Sequence, residues 1–350
     1  MIAVTQVIAA AAPGDAVTDQ ALAWQRLLEG WGHRGRIVAE HVDPALAGRV
    51  RRLDADGADL LRSGAVVLHY SVWSATIDAA LRAPGPLAVC YHNVTPGDLL
   101  RAANPELAAA CDRARESLPR LRGRVRALIA DSAFNAAELA PLGLTAEVVP
   151  LLLEFPPRSG PPRPARPRGA TILSVGRIAP NKRIEDVIGA FHLYRGHRDP
   201  EARLVLVGSD GGFERYRVGL DRLLARLGTR GVTFAGRVSD AERDRRYAEA
   251  DAYLCMSAHE GFCAPLVEAM SQAVPVVARR AGAVPETLGG AGIVIDGGLP
   301  LAAEALHEAV SSETTRAGLR AAARRRLEQL APPVVAERLR AALAPVLEIR

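Results

Sequence analysis

Lysine is almost missing from this sequence. Of its 44 lysines and arginines, Lys182 is the only lysine, so every other basic side chain is an arginine. A guanidinium is a planar fork that suits bidentate contacts with anions, whereas an ammonium is a compact point charge. A lone lysine in such a composition indicates a position where the shape of arginine does not serve. Lys182 is therefore a candidate functional residue.

Cysteines and long apolar runs are also scarce. The chain has 4 cysteines with no Cys-x-x-Cys spacing, and no run reaches the ~18 apolar residues of a membrane span. These absences argue against a disulfide scaffold and favour a reduced, cytoplasmic protein. The apolar residues 1–12 lack the basic start of a signal peptide, and we predict that they form a first β-strand.

Several common motifs are absent. No Gly-x-Gly-x-x-Gly occurs in the first turn and no Walker loop occurs anywhere, which disfavours ordinary dinucleotide-binding and P-loop proteins. His259-Glu260 has no second histidine four residues later, so the zinc-protease pattern is missing as well. Asp54-Ala55-Asp56 matches the Asp-x-Asp pattern of metal-dependent sugar transferases, but it lies in a charged segment before a helix. We therefore expect neither a metal site nor a cofactor.

The length and the periodicity predict two α/β domains. A chain of 350 residues with 49% hydrophobic content exceeds the usual size of a single core. Its net charge of +5 favours anionic ligands. Short apolar runs alternate with helical patterns, as in βαβ units on a parallel sheet. The predicted strands are 2–9, 36–39, 65–69, 87–92, 125–130, 146–149, 170–175, 203–207, 231–234, 251–256 and 275–278.

A proline-rich segment divides this alternation. We predict a first Rossmann-like domain over residues 1–155, a linker over 156–168, a second such domain over 169–330 and a C-terminal helix over 331–350. The final helices are expected either to stay with the second domain or to cross back to the first. Ligands of open parallel sheets bind at the carboxyl ends of the strands, so the site is expected there, in a cleft between the domains.

Residues 257–270 are the stretch around which the rest is organised. An apolar strand runs into a turn with Glu260, and a helix starting at Pro265 carries Glu268. Proline loses no hydrogen bond at the first helical position, and the following N–H groups can bind an anion. We interpret the two carboxylates as binding opposite ends of one ligand with a phosphate between them.

Basic and polar residues follow other predicted strands. Arg177 and Lys182 lie on the loop after residues 170–175, where the two cations can neutralise a diphosphate. His92 follows the strand 87–92 and is either structural or part of the site. Asp15 lies in the first turn, where a turn alone explains it, and Ser132 is expected to cap a helix.

These residues resemble a known family. Gly176-Arg177 with Asn181-Lys182, followed by His259-Glu260-Gly261-Phe262 and by Glu268, is similar to the retaining glycosyltransferases of family 4, whose fold is GT-B. The Glu-x7-Glu spacing is typical of that family. The similarity is dense from 172 to 295 and thinner before the linker, where the family's glycine-rich first loop is replaced by a loop whose one glycine is Gly14.

The resemblance implies a role for each matching residue. Arg177 and Lys182 would bind the diphosphate of a nucleotide sugar, Glu268 the ribose, and Glu260 the donor sugar, while His92 would approach the anomeric carbon from the first domain. Backbone N–H groups would bind sugar hydroxyls and phosphate, and residues 236–239 would lie against the base. The N–H groups expected to take part are those of Gly261, Phe262, Cys263, Ala264, Leu266 and Val267.

The implied activity is metal-independent transfer of a mannose- or glucose-type hexose from a GDP or UDP sugar to a glycan or polyprenyl-linked acceptor, with no nucleic-acid partner. Two alternatives use the same fold: a sugar-nucleotide 2-epimerase, or a module that binds the nucleotide sugar without chemistry. A further hypothesis is weak contact with the inner face of an anionic membrane through Arg316, Arg320 and Arg324, which share a helical spacing. The alternative for those arginines is a solvated helix face.

Overall fold

The computed structural model describes residues 2–154, 158, 160–166 and 168–348. It contains two compact units. Unit 1 comprises residues 1–97, 106–154 and 330–350, and unit 2 comprises residues 98–105 and 155–329. Within the predicted linker 156–168, residues 156, 157, 159 and 167 lie outside the described residues.

Unit 1 is built on a parallel sheet of seven strands with the order β3-β2-β1-β4-β5-β6-β7. The strands are β1 (Ala3–Ala11), β2 (Arg34–Val42), β3 (Arg51–Arg52), β4 (Ala65–Tyr70), β5 (Leu87–Tyr91), β6 (Val125–Ala130) and β7 (Glu147–Val148). The helices are α1 (Ala16–Gly30), α2 (Ala55–Asp59), α3 (Ala75–Arg82), α4 (Pro105–Ser117) and α5 (Ala133–Leu139). Every residue of β4 and β5 is buried, because helices cover both faces of the sheet.

Short polar side chains begin the helices of unit 1. The carboxylate of Asp15 accepts a hydrogen bond from the N–H of Thr18 at 2.9 Å and caps α1. Ser132 caps α5 as predicted, since its Oγ accepts from the N–H of Asn135 at 3.1 Å. Asp54 of the Asp-x-Asp sequence caps α2 through the N–H of Gly57. These carboxylates therefore have structural partners.

Unit 2 is built on a parallel sheet of six strands with the order β10-β9-β8-β11-β12-β13. The strands are β8 (Thr171–Val175), β9 (Arg203–Val207), β10 (Val232–Gly236), β11 (Ala252–Cys255), β12 (Val276–Arg279) and β13 (Ile293–Ile295). The helices are α6 (Ile184–His197), α7 (Glu214–Leu227), α8 (Asp240–Glu249), α9 (Ala264–Ser271), α10 (Val284–Leu288), α11 (Leu299–Ser311) and α12 (Glu313–Gln329). Two parallel Rossmann-like sheets confirm the predicted fold class.

The last helix, α13 (Pro332–Leu347), belongs to unit 1. Pro332 and Pro333 end the preceding helical run and start this one, since proline fits the first turn of a helix. Val335, Leu339 and Leu343 recur every four residues and are buried in the core that contains β1, β5 and β6. The apolar stripe of α13 thus covers one face of the first sheet.

The strand order reverses at one place in each sheet. In unit 1 the reversal lies between β1 and β4, and in unit 2 it lies between β8 and β11. Connections leave in opposite directions at such a point, and a crevice opens outside the carboxyl ends of the two central strands. The loops after β8 and β11 carry Lys182 and Glu260, so the fold of unit 2 brings these residues together.

The arginine face predicted on the C-terminal helices is wrong for Arg316. Its side chain is 1% exposed. It donates hydrogen bonds to the carbonyl oxygens of Asp251 and Ala309, both at 2.8 Å, because the start of α12 packs against the core of unit 2. Arg320 pairs with Glu313. The helices of the described part of the chain include none with the length and apolar character to cross a bilayer.

Candidate functional site

Close approach of two strand ends shapes one side of the site in unit 2. Gly176 follows β8 and Gly208 follows β9, with φ angles of 148° and 149°. A Cβ atom on Gly208 would lie 1.8 Å from the carbonyl oxygen of Gly176. The N–H of Ile178 donates to the carbonyl oxygen of Ser209 at 2.9 Å. The loop that carries Arg177 is therefore fixed against the neighbouring strand.

Arg177 is held by an aromatic ring. Its Cζ atom lies 4.9 Å from the centroid of Phe213, and its Nη2 donates to the carbonyl oxygen of Gly211 at 3.4 Å. The quadrupole of the ring attracts the guanidinium and orients it. No carboxylate of the described residues lies within ion-pair distance of Arg177, and the side chain is exposed. Its charge is thus available to an anionic ligand.

Lys182 and Glu260 form the central ion pair of the site. The ammonium donates to both carboxylate oxygens, at 2.7 and 2.9 Å, and Ser257 Oγ donates to Glu260 Oε1 at 2.7 Å. The side chain of Glu260 is 7% exposed and that of Lys182 is 25% exposed. Burial by itself lowers the pKa of Lys182, but the attraction of Glu260 outweighs it and the pKa is raised.

Backbone contacts fix the loop of Glu260 on two sides. The N–H of Ala258 donates to the carbonyl oxygen of Asn181 at 2.9 Å, so the loops of Glu260 and Lys182 are joined directly. The carbonyl oxygen of Glu260 accepts from the N–H of Ala283 at 2.9 Å. Gly282 has a φ of +51°, and a Cβ there would lie 2.2 Å from the carbonyl oxygen of Glu260. The ion pair is therefore preorganised by backbone.

Helix α9 begins one residue before the predicted start at Pro265. Cys263 adopts a left-handed conformation with φ 71° and forms the N-cap of the helix. The N–H of Leu266 donates to the carbonyl oxygen of Cys263 at 3.0 Å. Phe262 is 5% exposed, and its carbonyl oxygen accepts from Thr287. These contacts show that the predicted phosphate contact of Leu266 has a competing internal partner.

Glu268 binds a tyrosine that sequence analysis missed. The hydroxyl of Tyr247 in α8 donates to Glu268 Oε2 at 2.7 Å, and Arg243 Nε lies 3.9 Å from Oε1. Burial raises the pKa of Glu268, and Arg243 opposes that shift. Tyr247 is 1% exposed and comes from a segment that the sequence predicts only as a helix. No spacing to Glu268 identifies it, because the contact is between different helices.

A cavity lies at the strand reversal of unit 2, beside the ion pair. Arg177, Lys182 and Glu260 line it together with Cys255 and Ser257. The remaining lining residues belong to β8 and β11 and to the segments that follow them, up to the first residue of α6: Ser174, Val175, Gly176, Ile178, Ile184, Tyr253 and Met256. Glu268 and residues 261–267 do not line this cavity. The structure thus groups three of the predicted charged residues around one cavity.

His92 belongs to a buried polar chain in unit 1. Its side chain is 4% exposed, and its Nδ1 lies 2.8 Å from Asp131 Oδ2. Its Nε2 lies 2.8 Å from His69 Nδ1, and His69 Nε2 lies 3.0 Å from Gln6 Oε1. Both ring nitrogens of His92 therefore have partners inside unit 1. Gln6 and His69 were not singled out in the sequence, because they lie inside β1 and β4.

The glutamine at the end of this chain fixes the positions of its protons. Gln6 Nε2 donates to the carbonyl oxygen of Ala21 at 2.8 Å, so its Oε1 must accept from His69. His69 then carries its proton on Nε2, and its Nδ1 accepts from Nε2 of His92. Nδ1 of His92 faces Oδ2 of Asp131 on the other side of the ring. His92 is consequently oriented by three side chains.

We expect acid to destabilise unit 1 through His69. Burial, followed by the nearby His92, lowers the pKa of His69 well below 6.5. The unfolded chain binds a proton at the ordinary pKa of about 6.5 while the folded chain does not, so stability falls as pH drops below that value, by up to ~1.4 kcal/mol per pH unit. The measurement is urea unfolding between pH 7.5 and 5, followed by tryptophan fluorescence.

All 3 tryptophans, Trp24, Trp31 and Trp73, lie in unit 1, so their fluorescence reports on that unit. The His69→Gln variant is expected to lose this part of the pH dependence. The exposed His41 in the same unit is the matched control, and His41→Gln should keep the wild-type slope. An unchanged slope in His69→Gln would contradict the assignment.

Two side-chain groups of the described residues have the composition of a metal site. They are His69 with Cys90 and His92, and Cys255 with Glu260 and Cys263; within each, the ligand atoms lie within 4.8 Å of one another. In unit 2 the ammonium of Lys182 already binds both oxygens of Glu260 and supplies the positive charge. In unit 1 the ring nitrogens bind each other. Glu260 in one group and the two histidines in the other therefore already have hydrogen-bonding partners within the protein.

Comparison with known proteins supports the resemblance. Residues 161–326 match the family of glycosyl transferases group 1. O-antigen chain mannosyltransferase B of Escherichia coli is 33% identical over 129 residues, which are 35% of this chain and 32% of that protein. MMP alpha-(1->4)-mannosyltransferase of Mycolicibacterium hassiacum is 32% identical over 166 residues, which are 46% of this chain and 36% of that protein. The matched segments thus span about a third of the curated relatives.

The fold has a close counterpart among solved structures. HepE of Anabaena, solved in complex with UDP and glucose, superposes with a TM-score of 0.75 at 17% sequence identity. The superposition covers 98% of this chain and 100% of that chain. The matching segment 161–326 contains Arg177, Lys182, Glu260 and Glu268. With this segment and this fold, the chain is similar to the group 1 glycosyl transferases over residues 161–326 and shares the GT-B fold of HepE over its length.

Proposed function

We propose that this chain transfers a mannose- or glucose-type hexose from a GDP or UDP sugar to a hydroxyl of a glycan or polyprenyl-linked acceptor. The transfer retains the anomeric configuration and needs no metal. The observation that carries the proposal is the Lys182–Glu260 ion pair at the strand reversal of unit 2. Mannosyltransferases among the relatives, and the UDP and glucose bound to HepE, support a nucleotide-hexose donor.

In the proposed reaction, the leaving diphosphate is stabilised by fixed positive charge. Breaking the bond between sugar and phosphate places negative charge on the diphosphate, and stabilising it is the main catalytic task. Lys182 has three N–H donors, of which two bind Glu260. The third donor is assigned to the diphosphate. The guanidinium of Arg177, which lines the same cavity, is assigned to it as well. The N-terminal end of α9 adds its dipole, with the N–H of Val267 as the assigned contact.

Glu260 is assigned to the donor sugar, where positive charge develops in the reaction. Ser257 holds its Oε1, so its Oε2 accepts a sugar hydroxyl once the ammonium turns toward the diphosphate. A carboxylate at that position also stabilises the positive charge that builds up on the sugar ring. The N–H groups of Gly261, Phe262, Cys263 and Ala264 complete the assigned sugar contacts. The acceptor hydroxyl gives its proton to the leaving phosphate.

Glu268 is assigned to the ribose hydroxyls, and His92 to the vicinity of the anomeric carbon. Because both ring nitrogens of His92 are bonded within unit 1, we assign it no proton transfer. Residues 236–239 are assigned to the base. The cytoplasm is the proposed location, because nucleotide sugars are the substrates.

We expect Tyr247→Phe to raise KM for the donor about 3- to 10-fold at nearly unchanged kcat. The hydroxyl orients Glu268, and a hydrogen bond to a charged group contributes about 1.5–3 kcal/mol. In the variant, a water molecule that hydrogen-bonds Glu268 offsets part of that loss. Steady-state kinetics with varied donor measure the effect. Tyr194→Phe is the matched control, since Tyr194 is a buried tyrosine in the core of unit 2. A fall in kcat at constant KM would contradict a ribose contact.

Calorimetry tests the proposal as a whole. GDP, UDP and ADP, each with its common sugar conjugates, are titrated into the wild-type chain in EDTA. Tight binding of one nucleotide is expected, and NMR of the product formed with an acceptor should show a retained anomeric configuration. Conversion of the donor to its epimer without acceptor would instead support the 2-epimerase. Binding without any turnover would support the silent module, and a folded chain that binds none of the nucleotides would overturn the proposal.

A further inference from the structure

Two buried thiols meet beside the ion pair of unit 2. Cys255 is the last residue of β11, and Cys263 directly precedes α9. Their Sγ atoms and a carboxylate oxygen of Glu260 all lie within 4.8 Å of one another. Cys255 Sγ also donates to Ser257 Oγ at 3.4 Å, and the two cysteines are 5% and 7% exposed. The reaction proposed above uses neither thiol.

The two thiols differ in acidity because their sulfurs lie within 4.8 Å of each other. The hydrogen bond from Cys263 lowers the pKa of the Cys255 thiol, whereas the same bond and then burial raise the pKa of Cys263. The ammonium of Lys182 lies close to Cys263 and attracts negative charge on the thiol. Of the two, Cys255 has the lowered pKa and is also the sulfur that lines the cavity, so it is the one assigned to react first.

Access and surroundings separate this pair from Cys90 in unit 1. Cys255 lines the cavity that also holds Lys182 and Glu260, and this cavity has room for about one water-sized molecule beside the sulfur. Cys90 is fully buried, and burial followed by the neighbouring Asp131 raises its pKa well above 9.0. A nucleophilic thiol with a second thiol next to it is the arrangement of a redox-active dithiol.

We propose that Cys255 and Cys263 form a dithiol that a peroxide converts reversibly to a disulfide. The Cys255 sulfur attacks one peroxide oxygen, the O–O bond breaks, and a sulfenic acid forms as the first water leaves. The Cys263 sulfur then attacks the Cys255 sulfur, the S–S bond forms, and the sulfenic oxygen leaves as the second water with the remaining thiol proton. Two thiols are oxidised and one peroxide is reduced.

The bridge also has a consequence for ligand binding that rests on the proposed function. A disulfide brings the sulfurs to about 2.05 Å with a defined torsion. The residues between the two cysteines carry Ser257 and Glu260, and Cys263 sets the start of α9 in a left-handed conformation. Closing the bridge displaces these groups, so we expect the oxidised chain to bind nucleotide sugar at least about 10-fold more weakly.

Peptide mapping tests the bridge without any activity assay. Trypsin cuts after Arg246 and Arg279, so Cys255 and Cys263 fall in one peptide, while Cys90 and Cys111 fall in two others. The folded wild type is treated with hydrogen peroxide at near-equimolar ratio, denatured, alkylated with N-ethylmaleimide and digested. The expected result is peptide 247–279 lighter by about 2 Da and without maleimide, with dithiothreitol restoring two alkylation sites.

The remaining outcomes are decisive as well. Oxygen added to Cys255 without a bridge, or two thiols still open to alkylation, would overturn the proposal; oxidation of Met256 or Met270 is recognised by its added oxygen. Cys263→Ser should accumulate the sulfenic acid, and Cys111→Ser is the matched control that should bridge like the wild type. If the bridge forms in a chain that binds no nucleotide, the dithiol stands and the proposed function fails.

Discussion

Lys182→Ala is expected to weaken metal-free binding of the preferred nucleotide sugar at least about 100-fold. The ammonium is the only lysine charge of the chain and lies in the cavity beside Glu260. Removing one partner of a buried charge pair costs about 2–5 kcal/mol, and ~2.7 kcal/mol already corresponds to 100-fold. The variant also leaves the carboxylate facing the diphosphate without its partner. Isothermal titration calorimetry in EDTA measures the loss.

Controls separate this effect from unfolding. Lys182→Ala leaves a charged Glu260 that is 7% exposed, so some loss of stability is expected as well. The double variant Lys182→Met with Glu260→Gln removes both charges, and we expect it to recover stability while still failing to bind. Arg198→Ala removes an exposed cation that pairs with Glu304, and it should bind like the wild type. Wild-type affinity in a folded Lys182→Ala chain would refute the diphosphate assignment.

Glu260→Gln is expected to lower kcat about 100- to 1,000-fold. The variant keeps the shape of the side chain but removes the negative charge proposed to stabilise the sugar in the transition state, and lost electrostatic contacts of this kind typically cost that much. Binding of the free nucleoside diphosphate should change in the opposite direction. Lys182 is no longer shared with a carboxylate, so its attraction for the diphosphate increases. Initial rates and calorimetry on one preparation measure both effects.

The opposite signs make this prediction specific. A general loss of folding would weaken nucleotide binding and turnover together, whereas the expected variant binds the diphosphate at least as tightly as the wild type. Glu304→Gln is the matched control, because Glu304 in α11 is an exposed carboxylate that pairs with Arg198. Weaker diphosphate binding in Glu260→Gln would show that the carboxylate acts by holding Lys182 in place.

Much of the fold follows from local patterns. The apolar runs 125–130 and 203–207 match β6 and β9 residue for residue, and the other nine predicted strands differ by one to three residues at one or both ends. The two strands missed are β3 (Arg51–Arg52) and β13 (Ile293–Ile295). β3 is an exposed strand of two arginines at the edge of the sheet, so it lacks the apolar pattern that predicts a strand. β13 is three residues long, too short for a periodicity to be read.

The candidate site was predicted unevenly. Arg177, Lys182, Glu260 and Glu268 stand out because each is a charged residue shortly after an apolar strand or in the helix that follows one. Their partners do not stand out. Tyr247 lies in a charged helix, and the dithiol joins residues that the sequence places on either side of a turn. Contacts between elements are set by packing, which leaves no spacing rule in the sequence.

The sequence by itself determined the class of fold, the strand ends that carry charge and the resemblance to a family, because hydrophobic periodicity, glycine turns and the Glu-x7-Glu spacing are local properties of a chain. Only the tertiary structure decided that Lys182 binds Glu260, that Arg316 is buried, and that Gln6 and His69 orient His92. Each of these depends on elements distant in the chain lying side by side: strands in the first and third cases, and a helix against the core of unit 2 for Arg316. Strand order is fixed by the whole sheet, so the partners of a charged group are known only when the sheet is assembled.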